Sequence, residues 1–210
     1  MKRLYIVFIF SGLIINFILN FCQFRNEKLN IKENIIINVL EIIGLILGSK
    51  LLDIIVNYKY YIYYDILQSI YIGYMFYGGM ILAIALIFLY CTLKNINIIN
   101  VFEIVLPNML ILYACWKIGC FSNNCCVGIN NFPIQIIESI ICIILYYIIR
   151  ISKIRKKISI ICIIFGITRI VTFLLRNKIS FNNLIINEVI SICILLIGIK
   201  TTINKERRVI

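Results

Sequence analysis

The 210-residue chain contains no histidine and only nine acidic residues. Without an imidazole, it lacks the side chain that most readily exchanges protons near neutral pH and the commonest nitrogen ligand of zinc. It also shows no low-complexity linker, no internal repeat and no polar segment that would form a second soluble domain. Because no linker, repeat or soluble segment divides the chain, we expect a single transmembrane domain over residues 1–210. Because histidine is absent, we expect no histidine-dependent site.

Apolar residues dominate the rest of the chain. It is 62% hydrophobic and 14% charged, whereas soluble domains contain about 45–50% apolar residues. A helix needs about 20 apolar residues to cross a hydrocarbon core of about 30 Å. The sequence has seven such stretches: Leu4 to Phe21, Ile35 to Val56, Met75 to Thr92, Val101 to Trp116, Ile134 to Ile149, Ile158 to Leu175 and Leu184 to Ile199. They predict an all-α integral membrane protein, a bundle of about seven transmembrane helices.

The first stretch has an alternative interpretation, because it follows Lys2 and Arg3 and ends just before Cys22. This arrangement is also found in the signal peptide of a lipoprotein. However, Asn20 and Phe21 stand before Cys22, where a signal cleavage site needs small residues, and further apolar stretches follow. We therefore interpret the first stretch as a transmembrane helix.

Lysine and arginine predict the orientation, because positively charged loops tend to remain in the cytoplasm. With the N-terminus outside and the C-terminus inside, the inner segments hold thirteen of these residues and the outer segments hold six. Basic loops beside anionic lipid also explain the net charge of +12. The charge therefore gives no reason to expect nucleic-acid binding.

One segment between apolar stretches concentrates the polar groups. Lys117 to Phe121 reads Lys-Ile-Gly-Cys-Phe, Cys125 to Gly128 reads Cys-Cys-Val-Gly, and Pro133 to Glu138 reads Pro-Ile-Gln-Ile-Ile-Glu. Ionisable residues are costly within membranes and are retained mainly at functional sites. Arg169, inside an apolar stretch and three residues after Gly166, fits the same interpretation, since guanidinium binds phosphate through two hydrogen bonds.

The order of these elements resembles the prolipoprotein diacylglyceryl transferase family, membrane enzymes that lipidate bacterial prelipoproteins. The resemblance runs through most of the chain. Its elements are Phe76-Tyr77-Gly78-Gly79 at the start of a helix, Glu103 and Pro107, Lys117 to Phe121, a loop ending in Gly128, Pro133 with Gln135 and Glu138, Gly166 with Arg169 and Arg176, Glu188 with Ser191, and Tyr5 with Gly12.

The resemblance implies a reaction. In the family, the thiol of a lipobox cysteine in a prelipoprotein attacks a glycerol carbon of phosphatidylglycerol, and glycerol phosphate leaves. The chain would then be a multi-pass protein of the bacterial plasma membrane. Its partners would be phosphatidylglycerol, the prelipoprotein and membrane lipids, and neither a cofactor nor a metal is implied.

The resemblance also implies roles for individual residues. Lys117 and Arg169 would bind the phosphate, and Glu138 and Gln135 would organise the site. Tyr77, which stands where the family usually has histidine, would be a hydrogen-bond donor in the catalytic group. The expected substrate-binding residues are Tyr5, Gly78, Gly79, Gly119, Gly128 and Gln135, with the glycines allowing the backbone to approach the lipid head group.

The sequence departs from the family pattern at four further positions, where Lys117 replaces an arginine, Cys120 an asparagine, and Cys125 and Phe173 an acid. Lysine keeps the positive charge and loses the planar donor pair of arginine. These departures leave a second interpretation open, a non-catalytic relative or a thiol-redox membrane protein that kept the lipid-binding frame.

Three cysteines, Cys120, Cys125 and Cys126, cluster in the segment that we place outside. Without a histidine nearby, their thiols form an incomplete zinc site. A disulfide, most simply between Cys120 and Cys125 or Cys126, is one possibility on an oxidising face. A reactive thiol, activated by Lys117, is another, and the absence of any role is the third.

The orientation can be tested by labelling intact cells with a thiol reagent that does not cross membranes. We expect it to modify Cys120, Cys125 or Cys126, after reduction if they are paired, because positive charge keeps residues 150–157 in the cytoplasm. A cysteine introduced into residues 150–157 should stay unmodified. The reverse pattern would overturn the orientation.

Overall fold

The computed structural model describes residues 2–27, 29–63, 74–151, 157–176 and 181–206. Most of the basic segment 150–157 lies outside them. The described residues form helices and short connections, and the single β-type pairing among them is a bridge between Gly128 and Arg176. The α-helices are α1 (Lys2–Asn26), α2 (Ile31–Val56), α3 (Tyr58–Tyr63), α4 (Phe76–Leu93), α5 (Ile98–Ser122), α6 (Ile134–Ile151), α7 (Lys157–Leu174) and α8 (Phe181–Glu206). A short 3-10 helix (Ile129–Asn131) precedes α6.

Within the described residues, seven helices are long and apolar enough to cross a membrane, so the predicted number of spans is confirmed. Several bounds differ from the prediction. The last span was expected over Leu184 to Ile199 and α8 runs from Phe181 to Glu206, while α5, which was expected to end at Trp116, continues through Lys117 to Ser122. The polar residues that ended the apolar stretch are buried against protein, where a helical backbone satisfies its own hydrogen bonds.

The described helices form two compact units, Met1–Asn20 with Asn100–Ile210 and Phe21–Ile99. In the second unit, α2 packs on α4 through small residues. A Cβ atom added to Gly44 would lie 2.4 Å from the Cα of Ala83, and one added to Gly48 would lie 2.4 Å from the carbonyl oxygen of Gly78. Backbones this close are typical of membrane helices that associate through small residues.

The second unit also contains a polar network at the end of α2. Lys50 Nζ donates a hydrogen bond to the hydroxyl of Tyr61 at 2.9 Å and lies 5.1 Å from the ring centre of Tyr74. The Tyr61 hydroxyl donates to Asp53, which also accepts a hydrogen bond of 2.8 Å from Asn57. Burial, and then the bond to Asp53, raise the pKa of Tyr61. A lysine within an apolar stretch is thus linked to a carboxylate through a tyrosine.

In the first unit, α1 packs on α5 and α7 packs on α8. A Cβ atom on Gly12 would lie 2.8 Å from the Cβ of Cys115, so α1 and α5 are in close contact. Asn108 of α5 donates a buried hydrogen bond of 2.6 Å to Asn20. Such polar contacts hold helices together where lipid gives no hydrophobic driving force.

The connection between α5 and α6 is fixed by backbone hydrogen bonds. Gly128 donates to Phe132 at 3.0 Å, and Ile129 donates to Leu175, just beyond α7, at 2.9 Å. These bonds and the Gly128 bridge hold Arg176 beside the first turns of α6. The connection therefore brings the ends of α5 and α7 and the start of α6 together.

The close packing of α2 on α4 predicts a cost for Gly44→Ala. Alanine favours a helix over glycine by roughly 1 kcal/mol, yet its methyl group would collide with the backbone of Ala83. We expect this overpacking to lower the free energy of unfolding by about 1–3 kcal/mol, measured in detergent. Leu47→Ala on the same helix is the control, because Leu47 is 54% exposed. Equal stability of the two variants would contradict the contact.

Candidate active site

The candidate active site surrounds one carboxylate, Glu138, which is 0% exposed. Glu138 lies in the second turn of α6, which begins at Ile134 directly after Pro133. The positive end of the helix dipole there favours an anion. A buried carboxylate also needs ionic partners and hydrogen bonds, and Glu138 receives both from α5 and α7.

The oxygen Oε2 of Glu138 faces α5. Lys117 Nζ lies 2.6 Å from it, and the hydroxyl of Tyr113 donates to it at 3.0 Å. Lys117 and Tyr113 are four residues apart, which places them on one face of the helix. The Lys117 ammonium is also 5.3 Å from the centre of the Tyr113 ring. The helix α5 thus offers a cation and a hydroxyl together.

The oxygen Oε1 of Glu138 faces α7. Arg169 Nη1 and Thr172 Oγ1 each lie 2.6 Å from it, and Arg176 Nη2 lies at 3.4 Å. Their spacing of three and four residues aligns them along one side of the helix and its extension. Arg169 Nη1 also donates to the Tyr113 hydroxyl at 3.0 Å, which joins the groups on the two oxygens.

Two polar atoms beside this cluster are buried without a hydrogen-bond partner among the described residues. They are Nε of Arg176, a donor, and Oε1 of Gln135, an acceptor. Gln135 lies one turn before Glu138, and its Nε2 donates to the carbonyl oxygen of Cys125 at 2.5 Å. A donor and an acceptor left free in a buried site are suited to bind a ligand.

The charges point to the kind of ligand. Lys117, Arg169 and Arg176 contribute three positive charges and Glu138 one negative charge, which leaves +2 among the four groups. The side chains of the three cations are only 4–8% exposed. Excess charge within a membrane protein is costly unless a counter-ion reaches it. The arrangement is therefore suited to bind an anion.

The three clustered cysteines are free thiols, with Cys120 in the last turn of α5 and Cys125 and Cys126 in the connection to α6. Cys125 Sγ donates to the carbonyl oxygen of Cys120 at 3.3 Å. Hydrogen bonds from the thiols of Cys120 and Cys125, and then the charges of Lys117 and Arg176, hold the pKa of Cys126 well below its usual value. A disulfide and a reactive thiol both remain predictions for this group.

The structure brings together Lys117, Arg169, Glu138 and Gln135, which the sequence proposed as site residues. Among the expected substrate-binding residues of the same unit, the Tyr5 ring is perpendicular to the Trp116 ring with 6.4 Å between their centres, and a Cβ atom on Gly119 would lie 3.2 Å from the Tyr5 ring. A Cβ atom on Gly128 would lie 2.8 Å from the carbonyl oxygen of Phe132. These two glycines allow close packing here, and their contact with a lipid head group remains a prediction.

Tyr77, Gly78 and Gly79 belong to the other unit. Tyr77 is buried at the start of α4. Cβ atoms on Gly78 and Gly79 would lie 2.3 Å and 2.5 Å from the carbonyl oxygens of Gly48 and Leu45. Both glycines thus pack against α2, and the predicted roles of all three residues in the reaction remain predictions.

Tyr113 and Thr172 were not proposed from the sequence, and Arg176 was named there as part of the element around Arg169 without a role in the site. Helical spacing could have found them. Tyr113 precedes Lys117 by four residues, Thr172 follows Arg169 by three, and Arg176 follows Thr172 by four. A search for polar side chains on the same helix face as each buried charge would have selected all three.

Comparison with known proteins identifies the family of the chain. The sequence profile of the family described as prolipoprotein diacylglyceryl transferase matches residues 2–203. A phosphatidylglycerol–prolipoprotein diacylglyceryl transferase from Clostridium tetani (strain Massachusetts / E88) is 30% identical over 205 residues, which cover 83% of this chain and 82% of the relative.

The buried cationic site in a multi-pass helical protein and these matches define a membrane-embedded transferase. The chain belongs to the prolipoprotein diacylglyceryl transferase family. The family predicted from the motifs is therefore confirmed.

The dependence of the site on its carboxylate can be tested with Glu138→Gln. The amide keeps the shape but leaves Lys117, Arg169 and Arg176 without their shared counter-charge. We expect the free energy of unfolding in detergent to fall by about 3–5 kcal/mol, as for other broken buried ion pairs. Glu27→Gln, at an exposed carboxylate, should change it little. Unaltered stability of the Glu138 variant would show that the cations do not depend on it.

Proposed function

We propose that the cluster around Glu138 binds the phosphate of phosphatidylglycerol while the diacylglyceryl group moves to a prelipoprotein. The protein is a phosphatidylglycerol–prolipoprotein diacylglyceryl transferase by its family and its clostridial relative. The acceptor is the thiol of the lipobox cysteine. The observation that carries the proposal is the excess of buried positive charge on α5, α6 and α7.

A phosphodiester suits this site because it is an anion with several acceptor oxygens. Lys117 and Arg169 are held by Glu138 in fixed positions, so little reorganisation is needed when negative charge develops on the leaving phosphate. The free Nε of Arg176 can donate one more hydrogen bond to it. The free Oε1 of Gln135 can accept one from a hydroxyl of the glycerol head group.

Roles for the remaining groups follow from their contacts. Tyr113 and Thr172 donate hydrogen bonds to Glu138 and so act through it as positioning residues. Tyr77, a hydroxyl donor in place of histidine, and the substrate-binding Tyr5 retain the roles that the family implies. The same holds for the glycines Gly78, Gly79, Gly119 and Gly128.

The site is proposed to open toward the outer side of a bacterial plasma membrane, among the lipids that supply the substrate. The cluster lies toward the end of α5, the start of α6 and the end of α7. The distribution of basic residues supports an orientation with this end and the N-terminus outside and the C-terminus in the cytoplasm.

The proposal is tested by measuring the transfer of radiolabelled diacylglycerol from phosphatidylglycerol to a lipobox peptide. Lys117→Ala and Arg169→Ala should each slow transfer by about 30-fold or more, equivalent to about 2 kcal/mol of transition-state stabilisation. Lys117→Arg should retain transfer, because guanidinium keeps the charge and adds a second donor. Lys94→Ala, at an exposed cation, is the matched control.

Replacement of Cys120, Cys125 and Cys126 together by serine separates this function from the thiol-redox alternative. Transfer should be largely retained, because the attacking thiol belongs to the substrate. Loss of function in this triple variant, with little effect of Lys117→Ala and Arg169→Ala, would support the redox alternative. Absence of transfer by the unaltered protein would leave only a non-catalytic relative or that redox protein.

A further inference from the structure

A second carboxylate lies near the cluster, on α8, and its position follows from the packing of α7 on α8. Ser159 Oγ lies 2.9 Å from Thr201 Oγ1, and a Cβ atom on Gly198 would lie 2.9 Å from the Cβ of Cys162. A Cβ atom on Gly166 would lie 2.9 Å from the Cβ of Leu195. The two helices therefore run antiparallel with a constant register.

The same register, continued two turns along α7, brings Glu188 opposite Thr172. Thr172 is the residue whose hydroxyl donates to Glu138. Glu188 is 8% exposed and interacts electrostatically with Arg169, Arg176 and Glu138. The register and these electrostatic interactions place a second acid at the edge of the cationic cluster.

Glu188 differs from Glu138 in its bonding. Glu138 is held by three cations and two hydroxyl groups. Within the described part of the chain, Glu188 forms no hydrogen bond and no ion pair. It interacts with the two arginines only electrostatically, at longer range. Neither oxygen of Glu188 is a fully buried atom that lacks a hydrogen-bond partner in that part of the chain. Glu188 therefore has a carboxylate free to accept a proton.

The reaction needs such a group. A cysteine thiol has a pKa near 8.5, so it is mostly protonated at neutral pH, and its thiolate is the nucleophile. The chain has no histidine. Glu138 is occupied by its three cations. Tyrosine must first lose its own proton to act as a base.

We propose that Glu188 is the catalytic base that accepts the proton of the acceptor thiol. This inference rests on the proposed transferase function. The sulfur of the lipobox cysteine forms a bond to the glycerol carbon of phosphatidylglycerol. The bond from that carbon to the phosphate oxygen breaks, and its electron pair leaves with glycerol phosphate. The thiol proton remains on the Glu188 carboxyl group.

The electrostatics support this direction of proton transfer. In the step, the phosphate changes from a monoanionic diester to a dianionic monoester. Protonation of Glu188 removes one negative charge beside Arg169 and Arg176 at the same moment. The site becomes more positive by one charge as its ligand becomes more negative by one, so the protein stabilises the charge that develops.

The test compares two lipobox peptides, one with cysteine and one with selenocysteine as the acceptor. A selenol is ionised at neutral pH and needs no base. We expect Glu188→Gln to slow transfer to the cysteine peptide by about 100-fold, within the range of 10²–10⁴ for a general base. Transfer to the selenocysteine peptide should fall less than about threefold relative to the unaltered enzyme. Equal slowing with both acceptors, or none with either, would overturn the proposal.

The pH dependence gives a second readout that a merely structural role would not change. Transfer to cysteine by Glu188→Gln should rise by about tenfold per pH unit up to the thiol pKa near 8.5, because the acceptor must then ionise in solution. The unaltered enzyme and Glu27→Gln should show a much flatter profile between pH 6 and 8. A variant profile parallel to that of the unaltered enzyme would contradict a base.

Glu188→Asp makes the test independent of the folding of the glutamine variant. It keeps a carboxylate but moves it back by one methylene group, so we expect slower transfer to cysteine and unchanged transfer to selenocysteine. Equal slowing with both peptides would contradict the inference. The unaltered enzyme distinguishes the two hypotheses, because failure of its transfer would overturn the proposed function, whereas transfer with no acceptor-dependent defect would overturn only the role of Glu188.

Discussion

The shared ion pairs of Glu138 are the constraint on which the site depends. Three cations buried side by side would repel one another, and the carboxylate is the counter-charge that each of them contacts. One of its oxygens is bound by residues of α5 and the other by residues of α7. Glu138 itself lies in the second turn of α6. The position of these helix ends is therefore coupled to the electrostatics of a single residue.

This arrangement separates two tasks that one carboxylate could not combine. An acid bound by three cations remains ionised and is a poor proton acceptor. Its protonation would remove the negative charge that offsets the repulsion between the cations. An acid nearby that interacts with two of these cations at longer range, without an ion pair or hydrogen bond to them, is a better proton acceptor. Glu138 and Glu188 have these two kinds of surroundings in the first unit, so a chain without histidine has both an organiser and a candidate base.

The sequence predicted the charged part of the site well, because charges are rare in apolar stretches and each one stands out. Lys117, Glu138 and Arg169 were identified in this way, and the number of spans followed from the lengths of apolar stretches. Tyr113 and Thr172 were missed because hydroxyl groups are common in membrane helices. Their spacing from Lys117 and Arg169 makes them candidates, and the packing of α5 and α7 about Glu138 shows that both contact it. The end of α5 was placed too early since burial in protein cannot be read from apolarity.

The glycines on α2 and α4 have a consequence for the response of the second unit to temperature. Hydrocarbon surrounds these helices whether they are apart or together, so their contact releases little water, and its strength comes from atoms in close approach at Gly44 and Gly48. Water-driven association weakens on cooling. The contact between α2 and α4 lacks that dependence, so cold, which loosens the cores of soluble proteins, should leave this helix pair intact.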